Sequence, residues 1–446
     1  MNRTAAEVSN AAVDQVWSAV EGNARTILID SPPGAGKSTL VREICLRYIR
    51  FGQIPVIVQT NDQADDMVRG FINSVDPRVR DLTIGRLHSS KYVTPQDIVN
   101  HQQVVCSKSV VDLSDCEIIV APAAKWAFVS RQFQWPFAII DEAYQMRSDQ
   151  LLSIGALMNR LLLVGDPGQI SPFSSADTAQ FRGRPLSPVE SAAITILTTR
   201  PDTLRIPLPV SWRLPSSAAS VISDAFYRVP FTSGTGPDDR HMEIDLSVCE
   251  VSMPVRLASQ KGWAFIELDD LLMPTNDEEA VKAIALVVDD LLSAGITFHD
   301  ERGKRRMRPS DIAIGVAHRD QRDYVRSAIA GVLSARGLPA NAIAIDTANV
   351  LQGREFEVVI VWHPLSGRRD ASSFHLDAGR LCVLLSRHRH ACIVVSRGGI
   401  REQLQQFPST EPVWLGEVPP LMDGWHAHLS ILAHLETHRA SRERLC

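Results

Sequence analysis

Three stretches of this 446-residue chain carry residue types whose spacing suits phosphate chemistry. The first is Ser31-Pro-Pro-Gly34-Ala-Gly36-Lys37-Ser38-Thr39, which follows a β-branched run, Thr26–Ile29, and precedes a helix-like stretch, Leu40–Tyr48. A strand that turns through glycines into a helix N-terminus aims backbone N–H groups at phosphate oxygens. In such a loop Lys37 reaches the β- and γ-phosphates of ATP or GTP, and Ser38 holds magnesium, with Gly34, Gly36 and Thr39 completing the cradle. Ser31 stands where the usual pattern begins with glycine, a tolerable change if its backbone angles are ordinary. The second stretch, Ile139-Ile-Asp141-Glu142-Ala143-Tyr-Gln145, ends an apolar run with adjacent carboxylates. Asp141 suits magnesium and Glu142 suits polarising the attacking water. The third, Leu161-Leu-Leu-Val-Gly165-Asp166-Pro167-Gly168-Gln169, places Gln169 to sense a γ-phosphate.

These residues need a scaffold, and the apolar pattern supplies one. Short β-branched runs at Thr26–Ile29, Pro55–Val58, Ile118–Val120, Phe137–Ile140 and Leu161–Val164 alternate with helical stretches. A second series follows at Trp263–Ile266, Ile312–Val316, Ala342–Ile345, Val358–Val361 and Ile393–Val395. Buried strands alternating with helices predict an α/β fold with parallel sheets covered on both faces, and two series predict two units. Proline-rich Thr199–Leu208 is the natural boundary. The expected organisation is a first domain over 1–203, with an insertion at about 65–115, a second over 204–424, and a helical tail over 425–446. Thr275 with Glu278 predicts a capping box ahead of a helix over Ala280–Ala294. Arg302-Gly-Lys304-Arg305-Arg306-Met-Arg308 reads as a solvated basic loop.

Composition narrows the classes. Hydrophobic residues make up 45% and charged residues 22%, the balance of an ordinary globular protein. The net charge of -5 confines any nucleic-acid surface to a local groove. Seven cysteines without a CxxC pair argue against a zinc ribbon, and His388 and His390 complete no ligand set. The polar stretch Met1–Ala24 and the absence of a span-length apolar run predict a cytoplasmic protein with no membrane partner.

Three further motifs follow in order: Ser211-Trp212-Arg213-Leu-Pro215, then Ile345-Asp346-Thr347-Ala-Asn349-Val-Leu-Gln352-Gly353-Arg354-Glu355, then Val383-Leu-Leu-Ser386-Arg387-His388-Arg389. Together with Asp-Glu-Ala-x-Gln at 141–145 and Gly-Asp-x-x-Gln at 165–169, they resemble superfamily 1 helicases over about Gln15–Val395. The closer resemblance is to the 1B branch that includes the nonsense-mediated-decay helicases. It implies two tandem RecA-like P-loop domains, ATP and Mg2+ as cofactors, and single-stranded DNA or RNA as partner. By the same resemblance Gln15 reads adenine, Trp212 stacks on the base where relatives carry Tyr or Phe, and Gly353 and Glu355 approach the ribose. Arg213 and Arg387 become arginine fingers of the second domain, with Ser386-Arg387 in place of Thr-Arg. Thr60, Asn61 and Thr347 become nucleic-acid contacts. A γ-phosphate held by one domain and sensed by the other would make closure depend on nucleotide state.

The resulting expectation is an ATP-dependent helicase or translocase, monomeric, with 5′→3′ polarity taken from the branch. The alternative is a nucleic-acid-stimulated ATPase that remodels complexes without unwinding. A guanine-nucleotide switch is disfavoured, because no Asn-Lys-x-Asp motif is present.

Overall fold

The computed structural model describes residues 4–22, 24–172, 179–181, 187–236, 238–245, 247, 251–273, 276–406 and 421–440. The chain forms two compact units, one of residues 1–31, 35–167 and 171–208, the other of 32–34, 168–170 and 209–446.

The first unit is built on an eight-stranded sheet. Its strands are β1 (Thr26–Asp30), β2 (Ile54–Val58), β3 (Ile84–Leu87), β4 (Val104–Ser107), β5 (Ile118–Pro122), β6 (Ala138–Asp141), β7 (Leu161–Gly165) and β8 (Leu204–Pro207). The order is β4-β3-β5-β2-β6-β7-β1-β8, and every pairing is parallel. Strands such as β2 (Ile-Pro-Val-Ile-Val) are buried at every position, which is why they read as continuous apolar runs rather than alternations. Helix α1 (Ala5–Glu21) starts with a Thr4–Glu7 capping box. Helix α2 (Lys37–Tyr48) follows β1, and α3 (Asn61–Ile72) follows β2.

Residues 65–115 belong to this sheet and are not an insertion beside it. They hold most of α3 and supply β3 and the edge strand β4. Their irregular look comes from a buried ion pair: Arg86 of β3 donates to Asp65 at 2.8 Å, and both side chains are almost wholly buried. Because β8 pairs with β1, the first unit runs on to Leu208 and does not stop at 203.

The second unit begins with short strands β9 (Val210–Ser211) and β10 (Thr232–Ser233), followed by β11 (His241–Glu243) and β12 (Trp263–Leu268). Then come β13 (Thr297–Asp300), β14 (Gly303–Arg306), β15 (Ile312–Val316), β16 (Ala344–Thr347), β17 (Phe356–Trp362) and β18 (His388–Arg397). Its main sheet is parallel in the order β12-β18-β17-β15-β16. An antiparallel sheet β11-β13-β14 lies beside the same core, with Met242 and Phe298 pointing inward. The basic run at 302–308 is therefore half of a hairpin and not a loop. Arg305 turns in to stack on Phe298 and pair with Asp311 and Glu357, while Lys304 and Arg306 face out.

The helix at Glu278–Ser293 is capped by Asp277, whose side chain accepts from the Ala280 N–H at 3.0 Å. The expected cap, Thr275, lies outside the described residues. The expected tail packs into the second unit: helix Gly424–Glu436 buries Ala427, Ile431, Leu432 and Leu435 in its core.

Candidate active site

In the first unit the carboxyl ends of neighbouring parallel strands bring the phosphate-type residues to one edge of the sheet. Asp141 ends β6 opposite Val164 of β7, and Asp30 ends β1 opposite Gly165. Gly165 lets the chain pass close, because a Cβ there would lie 3.0 Å from the Ala143 N–H nitrogen and force the segment to give way. That close crossing lets Asp141-Glu142-Ala143-Tyr144 fold over the end of β7. The Tyr144 hydroxyl then donates to Asp30 at 2.6 Å and pins the crossing.

Gly36 is the N-cap residue of α2, with φ 87°, and offers no side-chain cap. The first N–H groups of α2 therefore lack a side-chain acceptor, the arrangement that favours an anion. Ser31 is buried, its N–H bonds the Gly165 carbonyl at 2.8 Å, and its φ lies outside the left-handed region, so serine fits there. Lys37 is ion-paired with Glu142. Burial pulls the Lys37 ammonium down, but Glu142, Asp141 and Asp166 outweigh it and hold the pKa above the ordinary lysine value. Burial, and then Glu142, push Asp141 up to about 6. Glu142 has φ 56°, the one left-handed non-glycine residue among those described. Such strain persists only where surrounding bonds impose it. Here Gln145 donates to Glu142 at 3.0 Å, and the Glu142 N–H donates to Asp141 at 2.9 Å. Ser38 and Thr39 are exposed on the first turn of α2. A hydroxyl at 38 and a carboxylate at 141 form a hard-oxygen donor set of the kind magnesium takes.

The second unit gathers a different group. Trp212 is 37% exposed. Gly234 lies against one side of its indole, where a Cβ would come within 2.4 Å of the ring. Arg213 donates to Glu355 at 3.2 Å. Gly34, which clusters with this unit, has φ +72° and no room for a Cβ, because Arg213 Cβ would lie 2.2 Å away. Gln352 donates to Gln169 at 2.5 Å, so the third and fifth motifs meet through their glutamines. Gly353 sits at φ +81° in open space, where backbone geometry alone requires glycine. Arg387 is fully buried, donating to the Val383 carbonyl at 3.0 Å and the Ser386 hydroxyl at 2.7 Å.

Several expected residues have local structural work. The Thr60 hydroxyl caps α3, and the Asn61 side chain accepts from Arg86 at 3.0 Å. Thr347 is nearly buried at the end of β16 and starts the short helix Ala348–Leu351. Gln15 is exposed midway along α1, next to Asp14, which pairs with Arg47 of α2. His390, Glu357 and Asp300 converge with ligand atoms within 4.8 Å, a grouping the spacing of the histidines does not reveal. Arg389 and Arg305 already supply positive charge to those carboxylates.

A family model described as an AAA domain matches residues 196–398. Over 433 residues, 91% of this chain, the sequence is 23% identical to the DNA replication ATP-dependent helicase/nuclease DNA2 of Xenopus laevis. It is 25% identical over 260 residues, 58% of this chain, to the regulator of nonsense transcripts 1 homolog of Drosophila melanogaster. With the motif order above, these matches make the chain similar to superfamily 1B helicases. It spans 39% of the length of the Xenopus protein and 20% of the Drosophila one. Among solved structures it is similar to an arterivirus nonstructural protein 10 helicase in complex with DNA, at TM-score 0.44 and 12% identity, covering 85% of this chain and 63% of that one.

Gly234 gives the sharpest test of whether Trp212 stacks on the base, as the resemblance to superfamily 1B helicases implies. A methyl at 234 must push the indole aside, and losing one base–aromatic stack costs about 1 kcal/mol or more. Gly234→Ala is expected to weaken binding of a fluorescent ATP analogue about fivefold with little change in thermal midpoint. Unchanged affinity in a folded variant would contradict the platform.

Proposed function

We propose that the chain hydrolyses ATP and uses the turnover to move along single-stranded nucleic acid, 5′→3′ as in the branch it resembles. The observation that carries this reading is the part-buried Lys37–Glu142 pair beside the uncapped N-terminus of α2. Lys37 requires an anion, and a triphosphate is a stronger partner than one carboxylate. When phosphate takes Lys37, Glu142 is released, and its carboxylate can accept a proton from the attacking water. Asp141 and Ser38 would hold magnesium, which supplies charge neutralisation to the phosphates. Backbone N–H groups at Gly34 to Thr39 orient the phosphates.

Trp212 would stack on the base and Glu355 bond the ribose, with Gly353 letting the turn approach. Gln169 would report the γ-phosphate, and its bond to Gln352 ties that report to the loop after β16. Arg213 and Arg387 would neutralise charge that develops during transfer. Thr60, Asn61 and Thr347 would bond the backbone of the strand. All three lie where a strand runs into a helix, the position at which backbone N–H groups are also available.

The deciding experiment is ATP hydrolysis by the purified chain with and without matched single-stranded DNA and RNA, beside a strand-displacement assay with 5′ or 3′ overhangs. Stimulation by one polymer, with displacement from a 5′ overhang, is expected. Stimulation without displacement would favour a remodelling ATPase, and hydrolysis indifferent to either polymer would reject the motor.

Arg387→Ala is expected to keep ATP binding within about twofold while turnover falls at least about a hundredfold, because a finger acts on the transition state. Single-turnover hydrolysis with a separate binding titration checks this, and unchanged turnover would remove Arg387 from the site.

A further inference from the structure

Arg240 lies outside every motif, yet it fixes the backbone of Trp212 and Arg213. Its side chain is 1% exposed. Nη1 donates to the Arg213 carbonyl at 2.5 Å and Nη2 to the Trp212 carbonyl at 2.7 Å. The other edge of the guanidinium meets Glu301, in the turn between β13 and β14, through Nε at 2.9 Å and Nη2 at 2.8 Å. Arg389 of β18 grips the same carboxylate at 2.6 Å and Asp300 at 3.1 Å. Burial raises the Glu301 carboxyl, but bonds from Arg240 and Arg389 outweigh it and hold its pKa at about 2.

Trp212 and Arg213 need an external holder. They lie between β9 and the helix Ser216–Phe226, where neither a ladder nor a helix takes their carbonyls. A planar guanidinium offers donors in fixed directions, so one arginine can bond two successive carbonyls while its far edge is clamped by a carboxylate. A lysine ammonium cannot reproduce that fork.

We propose that Arg240, seated by Glu301, is a positioning residue for the nucleotide, setting where the Trp212 indole and the Arg213 guanidinium stand. The proposal rests on the reading that these two residues contact ATP. Its consequence is specific. Releasing two adjacent carbonyls shifts base platform and arginine together, so affinity and turnover fall jointly, and the hairpin tip at Asp300–Arg302 becomes mechanically linked to the nucleotide.

The test compares Arg240→Met, Arg240→Lys, Glu301→Gln and, as reference, Arg213→Ala, each as the full chain at a temperature where circular dichroism shows it folded. Arg240→Met is expected to lower kcat about tenfold or more and to weaken binding of a fluorescent ATP analogue several-fold. Arg240→Lys should recover part of both, and Glu301→Gln should show smaller losses in the same two quantities. If Arg240→Met stays within about twofold of the parent in both while Arg213→Ala loses turnover, the positioning role is wrong. Should Arg240→Met fail to fold, Glu301→Gln decides, and parental kcat and affinity there overturn the proposal. Parental turnover in Arg213→Ala would instead overturn the nucleotide reading, and the positioning role with it.

Discussion

Taking the Lys37 ammonium out of water is unfavourable unless an anion accompanies it, and Glu142 is that anion. The two meet because parallel strands β1, β7 and β6 end at one edge of the sheet, with α2 leaving β1 there and the Asp141-Glu142 segment leaving β6. Each nearby feature serves that meeting. Gly165 has no side chain to block the crossing, the Tyr144–Asp30 bond pins it, and Glu142 is kept at a positive φ. A largely desolvated ion pair adds little stability over apolar residues of the same volume, so its presence is better understood as a poised charge arrangement. In the proposed site, phosphate would exchange one anion for another without leaving the lysine bare.

The second unit solves a related problem with arginines. Arg213, Arg302 and Arg389 surround Glu355 at 3.2, 3.9 and 3.9 Å, and Glu301 lies between Arg240 and Arg389. These charges are matched locally and lie on β18, the β13–β14 tip, the turn after β9, and the residues just before β11 and β17. The site's side chains are thereby attached to five separate stretches of chain, which restricts how far any one of them can drift.

The ten strands read from apolar runs all lie in the two parallel sheets, because strands buried on both faces leave an unbroken hydrophobic signature. The missed strands lack it. β3 (Ile-Gly-Arg-Leu) carries the buried Arg86, and β4 (Val-Val-Cys-Ser) and β8 (Leu-Arg-Ile-Pro) are the sheet's two edges. The basic hairpin was not legible because Lys304, Arg305 and Arg306 are consecutive cations, and the inward position is taken by Arg305 where an apolar residue is usual. At the site, residues contiguous in sequence, from Gly34 to Thr39 and from Asp141 to Gln145, were legible. Arg240 was not, since its partners are backbone carbonyls that any residue supplies.

The most direct measurement is steady-state ATP hydrolysis by Lys37→Ala, with circular dichroism to verify folding. A folded protein whose hydrolysis is lost is expected, because the phosphates no longer have the Lys37 ammonium to take from Glu142. Hydrolysis within about threefold of the parent would contradict it.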